Sequence, residues 1–449
     1  MKQKNTVYRA PKTVSWLLRF LDTKIAKDSK LLFTITFKLL EKIVIFKSYF
    51  FKRKSVLFAG QCYYNCFYLS RALRNRGWKA DLLNWDSNEN SQIYYHGEDF
   101  LFLYDEKYSI YDHLFFYLKS LFIYEIFHFS NAHGISFSSI LNVWFKNKQY
   151  ANFEIFFLKK CGKKIVYSNN ACLDGVSKTA FSKWKPFSVC SICKWNEVPE
   201  VCSDERNLSW GQYRNTVADF QINLGGNRAD FNLDSSVHEV PEFYCLNPDI
   251  WDPSLPIPNE LQLKDRDEKI LLYHGIGNKR LRTSEEGINI HCSHIYFPIV
   301  DKIKKDIPNI EIISPSDVPN KKLLFIQSQC DIFLDMLTYG WYGAMAREAM
   351  MLGKPVICFI RPEWAESVKA EIPEFIEQLP IVSATQHDVE EKIRDLAKNE
   401  KMRKEIGIKS RKFAIKWHGM ESGGKRFDEI YSKLMVRKNK EINNGKSLQ

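Results

Sequence analysis

The chain has 449 residues, 45% hydrophobic and 14% aromatic, too many for one compact core and apolar enough to fill two or three, which excludes a single-domain architecture. The formal net charge of +12 is divided into +11 over residues 1–54, +9 over 401–449 and −8 between them. That split excludes a protein that coats a polyanion along its whole length, and points its two ends at an anionic surface.

Eleven cysteines without a signal-peptide pattern suit a reducing compartment, so the expectation is a cytoplasmic protein, peripheral at the inner face of the membrane. Residues 1–54 begin with VSWLLRFLDTKI, which sets Val14, Leu17, Leu18, Leu21 and Ile25 on one helical face. LLFTITFKLLEKIVIFKSYFF follows; Lys38, Glu41, Lys42 and Lys47 interrupt it, each costing a few kcal/mol at mid-membrane, so it does not span. Two readings stay open: an amphipathic extension lying on anionic lipid, or one packed on its own domain.

From Ser55, SVLFAGQCYYNCFYLSRALRNRGWKADLLNW reads as strand, turn, helix, a stop at Gly77 and a second strand. DFLFLY, YEIFHFSN and KKIVYSNNA continue the alternation, giving an α/β domain over 55–247. LNPDIWDPSLPIPNELQLKDRDEK has no periodicity, and 248–264 is expected to be a linker. Alternation resumes in KILLYHG, IEIISPS, CDIFLDM, PVICFI and LPIVSA, a second α/β domain over 265–400, and 401–449 reads as charged helices.

Within the first domain a Cys-rich insertion over 172–202 holds Cys172, Cys190, Cys193 and Cys202. These read as a structural four-thiolate zinc shell, as free buried thiols, or as a redox pair at Cys190 and Cys193.

The segment TYGWYGAMAREAMMLGKPVICFI leaves a strand, turns on Gly340 and Gly343, and enters a helix whose first amides can meet a phosphate. Glu348 lies over a turn into that helix, where a carboxylate can accept hydrogens from ribose hydroxyls or pair with Arg347 or Lys354. Gly353, Lys354 and Pro355 end the helix.

DIFLDMLTYGWYGAMAREAMMLGKPVICFI resembles the donor-site signature of retaining glycosyltransferases of group 1 (family 4-like), whose GT-B fold consists of two facing Rossmann-like domains. The resemblance implies transfer of a sugar from a nucleotide-sugar donor to a surface polysaccharide or lipid-linked glycan acceptor, with retention. It implies that Gly340, Tyr342, Gly343, Ala344 and Glu348 bind the donor, Glu348 through the ribose. The family's other glutamate falls on Gly340. That departure keeps a non-catalytic glycan- or partner-binding subunit as the alternative.

By the same resemblance, the loop in KILLYHGIGNKRLRTSEEGINI supplies Lys279 and Arg282 to the donor diphosphate, although NIHCSH puts His291 and Cys292 where some relatives have lysine and glycine. His133 matches a cleft histidine. Gly60, Asn65 and Asp174 line the acceptor side. A C-terminal helix returns to the first domain. No metal is required for catalysis, zinc being at most structural. Aromatic-interleaved nucleic-acid signatures are missing, so no nucleic-acid partner is expected.

Overall fold

A computed structural model describes residues 8–28, 30–60, 65–87, 98–103, 109–130, 137–169, 174–223, 228–277, 279–316 and 318–436. Two compact units result: Met1–Asn170 with Tyr213–Ile222 and Gly424–Gln449, and Ala171–Gln212 with Asn223–Gly423.

Strands β1 (Ser55–Ala59), β2 (Lys79–Ser87), β3 (Phe100–Leu103), β4 (Ile126–Phe129), β5 (Lys164–Ser168), β6 (Phe220–Asn223) and β7 (Val237–Glu239) form one sheet, in the order β3-β2-β1-β4-β5-β6-β7. The pairs from β3 through to β6 are parallel. Val56, Leu57, Phe58 and Ala59 are all buried, as expected when helices cover both faces of a parallel sheet. The helix Ile110–Ile123 starts in a capping box between Ser109 and Asp112, whose Oδ1 also accepts from the Ala10 amide at 2.8 Å.

The N-terminal residues form two helices, α1 (Lys12–Asp28) and α2 (Lys30–Phe50). One face of α2 is docked. Phe33 stacks on Tyr150 with centroids 4.4 Å apart, Phe37 packs on Phe153 at 4.7 Å and Phe157 at 5.1 Å, and Val44 is fully buried. Near its end, Ser48 donates to Glu125 Oε1 at 3.0 Å and accepts from Lys163 Nζ at 2.9 Å, while Lys163 pairs with Glu125 at 3.1 Å. Ile35, Leu39, Ile43, Phe46 and Phe50 fall within one ~80° arc on the opposite face and are 45–63% exposed. α2 thus packs on its own domain, one of the two readings, and presents an apolar stripe on its outward side. No described helix is long and apolar enough to cross a membrane.

The final described residues belong to the first unit. Asp428 accepts from the Trp78 indole at 2.8 Å and pairs with Lys54 at 2.9 Å, and Tyr431 meets His128 Nδ1 at 2.6 Å. A Cβ on Gly424 would lie 2.9 Å from that of Ala72, so only glycine allows this approach.

The second unit is built on β8 (Ile270–Tyr273), β9 (Ile310–Ile313), β10 (Ile332–Leu334), β11 (Val356–Cys358) and β12 (Val382–Ser383), in the order β12-β11-β10-β8-β9 with every pair parallel. Leu272, Tyr296, Ile332, Leu334, Ile357 and Ile393 belong to its core. Residues 228–247, read from the sequence as the end of the first domain, and 248–264, read as a linker, both fall in the second unit, where Asn259–Leu261 and Arg266–Glu268 form short 3-10 turns. Residues 174–212, grouped in the sequence with the first domain, pack in the second unit instead. Phe181 meets Trp341 edge-on at 6.3 Å, Phe187 meets Phe359 at 6.5 Å, and Lys194 donates to the Thr283 carbonyl at 3.4 Å. Their aromatic residues find their apolar partners there.

Candidate functional site

In the second sheet the chain leaves β8 toward β9 and then returns to the other side of β8 as β10. The carboxyl ends of β8 and β10 therefore flank a topological switch point, where parallel α/β sheets open a crevice for ligands. Two loops emerge there: 274–292 after β8, and 335–343 after β10.

They are joined closely. His274 Nδ1–H donates to the Leu334 carbonyl at 3.1 Å, and its Nε2 accepts from Ser293 Oγ at 2.8 Å. A Cβ on Gly275 would stand 3.1 Å from Met345 Sδ, so the first loop lies tightly against the start of the helix Ala344–Met351. Asp335, buried at the end of β10, accepts from the Gly343 amide at 2.8 Å and so fixes the turn that begins this helix. Burial pushes its carboxyl up against the pull of that bond.

Glu348 is buried, and its Oε2 accepts from Gln327 Nε2 at 2.6 Å. Neither Arg347 nor Lys354 forms an ion pair with it. Glu348 also lies beside Tyr273, the last residue of β8: burial first, and then this carboxylate, push the phenol up. Glu348 thus stands next to the switch point. Ala344, the first helical residue, is half-buried.

The basic loop is only partly outward. Lys279 is exposed at the start of the short helix Lys279–Arg282. Arg282 Nη1 folds back, donating to the Ile276 carbonyl at 3.2 Å and to His291 Nε2 at 3.1 Å. Burial, then Arg282, lower His291 to about 3, so it stays a neutral acceptor. His291, where the resemblance leads to the expectation of a lysine, instead holds Arg282.

Gly340 has φ +86°, a conformation open to glycine, and Arg361 fills the space beside it. Arg361 Nη2 donates to the Tyr339 carbonyl at 2.7 Å, and its guanidinium lies 3.2 Å from the Trp184 ring centroid. Burial lowers this guanidinium to about 10. Tyr342 turns inward, its hydroxyl 3.0 Å from His418 Nε2.

Gly60 follows β1, which with β4 flanks the switch point of the first sheet, but residues 61–64 and 131–136, His133 among them, lie outside the described residues, as does the side chain of Asn65. Asp174 is fully buried and accepts from the Trp210 indole. His128, on β4, is buried between Tyr431 and Ser168 Oγ, and burial lowers it to about 3. Cys190, Cys193 and Cys202 are half-buried free thiols, and burial raises those of Cys190 and Cys202. No three His, Cys, Asp or Glu side chains group to hold a metal among the described residues, and Cys172 lies outside them.

Sequence reasoning missed Gln327, His274 and Arg361. Arg361 had a signal, since it stands three residues beyond the end of β11, where side chains of parallel sheets reach ligands. Gln327 sits in a helix with nothing to distinguish it.

No protein-family model matches the sequence, and no curated protein sequence matches it. Solved structures do. A sucrose-phosphate synthase from Thermosynechococcus elongatus superimposes with TM-score 0.50 at 13% identity over 86% of this chain and all of that one. A glycosyltransferase from Rickettsia africae gives 0.50 at 11% over the same shares. The catalytic domain of starch synthase IV from Arabidopsis thaliana, bound to ADP and acarbose, gives 0.50 at 10%, again over 86% and 100%. With its two sheets and Rossmann-like units, the chain has the GT-B fold.

Proposed function

We propose that the protein is a glycosyltransferase that moves a sugar, with retention, from a nucleotide-sugar donor to a surface polysaccharide or lipid-linked glycan. The observation that carries this reading is the convergence of the loops after β8 and β10 on one switch point, with Glu348 beside Tyr273 and the helix Ala344–Met351 starting at the same place. The amides of that helix's first turn receive the diphosphate, and Lys279 and Arg282 offset charge developing on the leaving group. Glu348 accepts from the ribose hydroxyls, with Gln327 holding its other side.

The chemistry asks for no metal, and a zinc at Cys190, Cys193 and Cys202 would need Cys172 to complete a structural shell. Support for a membrane-bound acceptor comes from α2, whose exposed stripe is flanked by Lys38 and Lys42 and suits an anionic bilayer surface at the cytoplasmic face.

The test is thermal unfolding of the full chain with a panel of nucleoside diphosphates. One of them is expected to raise Tm saturably, and Glu348→Gln to remove most of the shift. If none shifts the wild type, the donor-site reading fails.

A further inference from the structure

A cavity of about 30 Å³ lies within the second unit, lined among others by Asn223, Glu239, Tyr342, Arg347, Trp364 and His418. One water needs roughly 10–15 Å³ on this measure, so two or three waters fit, or one tetrahedral oxyanion of similar bulk.

Polar groups without partners converge on it. Arg347 is 8% exposed, its guanidinium 3.9 Å from the Tyr244 ring centroid and 4.8 Å from that of Tyr342. No carboxylate pairs with it among the described residues, and its Nε has no hydrogen-bond partner. The Trp364 indole N–H is unpaired at 7% exposure, and so is Asn223 Oδ1 at 1%.

Neighbouring groups are already engaged. The Tyr342 hydroxyl donates to His418 Nε2 at 3.0 Å, and His418 Nδ1–H donates to the Pro241 carbonyl at 3.0 Å. Glu239 Oε1 accepts from Asn223 Nδ2 at 2.9 Å and Arg228 Nε at 3.1 Å. Burial, then Arg347, keep His418 unprotonated, so Arg347 is the cation that faces the cavity.

Arg347 has no ion-pair partner among the described residues: the buried Asp335 carboxyl feels its charge only from beyond contact, and Glu239 in the same lining is engaged by Arg228, so the orphan groups define what is missing. An anion that accepts from Arg347 and Trp364 and donates one hydrogen to Asn223 satisfies all three orphan groups and answers the charge of Arg347. Sulfate and carboxylate have no hydrogen to give at neutral pH. A phosphate monoanion, or the dianion of free phosphate, does.

We propose that this cavity binds a phosphate group, either free or at the end of a small phosphomonoester. Arg347 and Tyr342 share the turn and helix that carry Gly343 and Glu348, so occupancy there steadies the helix from its far side. This goes beyond the proposed transfer reaction and does not depend on it.

The test uses the full chain at pH 7 with sodium phosphate, methyl phosphate and sodium sulfate at matched ionic strength, followed by thermal unfolding and calorimetric titration. Phosphate is expected to bind one to one and raise Tm, where sulfate at the same concentration does neither. Arg347→Met should lose the response, Trp364→Phe should weaken it at least tenfold, and Arg282→Ala should keep it, which separates the cavity from the basic loop. A response to methyl phosphate at pH 6, where its monoanion carries a hydrogen, assigns the site to a phosphomonoester, and its absence to free phosphate. Equal shifts with sulfate, no shift with phosphate, or a phosphate shift that survives both cavity variants would overturn the proposal and leave water there. Should Arg347→Met not fold, the phosphate–sulfate contrast in the wild type and the Trp364→Phe titration decide.

Discussion

The side chain of Arg361 occupies the volume that any residue other than glycine at position 340 would need: a Cβ there would lie 2.7 Å from both Arg361 Cβ and Arg361 Nε. The two are also tied through the backbone, Arg361 N–H donating to the Gly340 carbonyl at 2.9 Å. Restoring the glutamate of the resembling family therefore requires displacing a buried guanidinium that is stacked on Trp184.

Gly340→Glu is expected to destabilise the protein by about 2–4 kcal/mol, from overpacking and positive φ together, read by denaturant unfolding. Adding Arg361→Ala should recover part of that loss but not all, because the backbone conformation is unchanged. Full stability in the single variant would show that the turn adapts.

Glu348→Gln should weaken nucleoside diphosphate binding roughly 10- to 100-fold, the scale of losing charge-assisted bonds to two hydroxyls. Titration calorimetry reads the loss, and an unchanged affinity would remove Glu348 from the site.

Lys163 has a fully buried side chain, paired with Glu125 beside Ser48 of α2. Lys163→Met should cost about 3–5 kcal/mol by leaving Glu125 uncompensated. Replacing both, Lys163→Met with Glu125→Leu, should cost much less. Equal losses in the single and double variants would contradict this account of the anchor.

Glu154 is fully buried with neither carboxylate oxygen hydrogen-bonded, and burial raises it from 4.5 to about 7. The native state then holds a proton that the unfolded state releases near pH 4.5. This group's contribution to stability is present below that pH and is lost as pH rises through about 7. Glu154→Gln should raise stability at pH 8 by about 2–3 kcal/mol relative to pH 4. Parallel pH profiles for variant and wild type would refute it.

Much of this architecture could be read in advance. The apolar runs located β8 to β12, because buried parallel strands are apolar on both faces and need no side-chain partner to be recognised. Glu348 was legible for a similar reason, since its helix, stop and strand form one local pattern. Its hydrogen-bond partner Gln327 was not, being 21 residues distant on another helix. The same holds for Arg361 against Gly340, and for Arg347, a charged residue that the pattern would place at the surface and that lies between two tyrosine rings. β6 (FQIN) and β7 (VHE) mix polar with apolar residues and so form no apolar run.

The two-sided character of α2 decides which variant tests the proposed membrane contact. Trimming residues 1–54 would strip the cover from Tyr150, Phe153 and Phe157 and leave Lys163 and Glu125 without Ser48, so a shortened protein exchanges one greasy surface for another. Such a protein could cling to vesicles, or to itself, for reasons unrelated to the native molecule. Leu39→Asp with Ile43→Asp, on the outward arc alone, is the cleaner instrument. It should abolish sedimentation with anionic liposomes while leaving the free energy of unfolding within about 0.5 kcal/mol of the wild type.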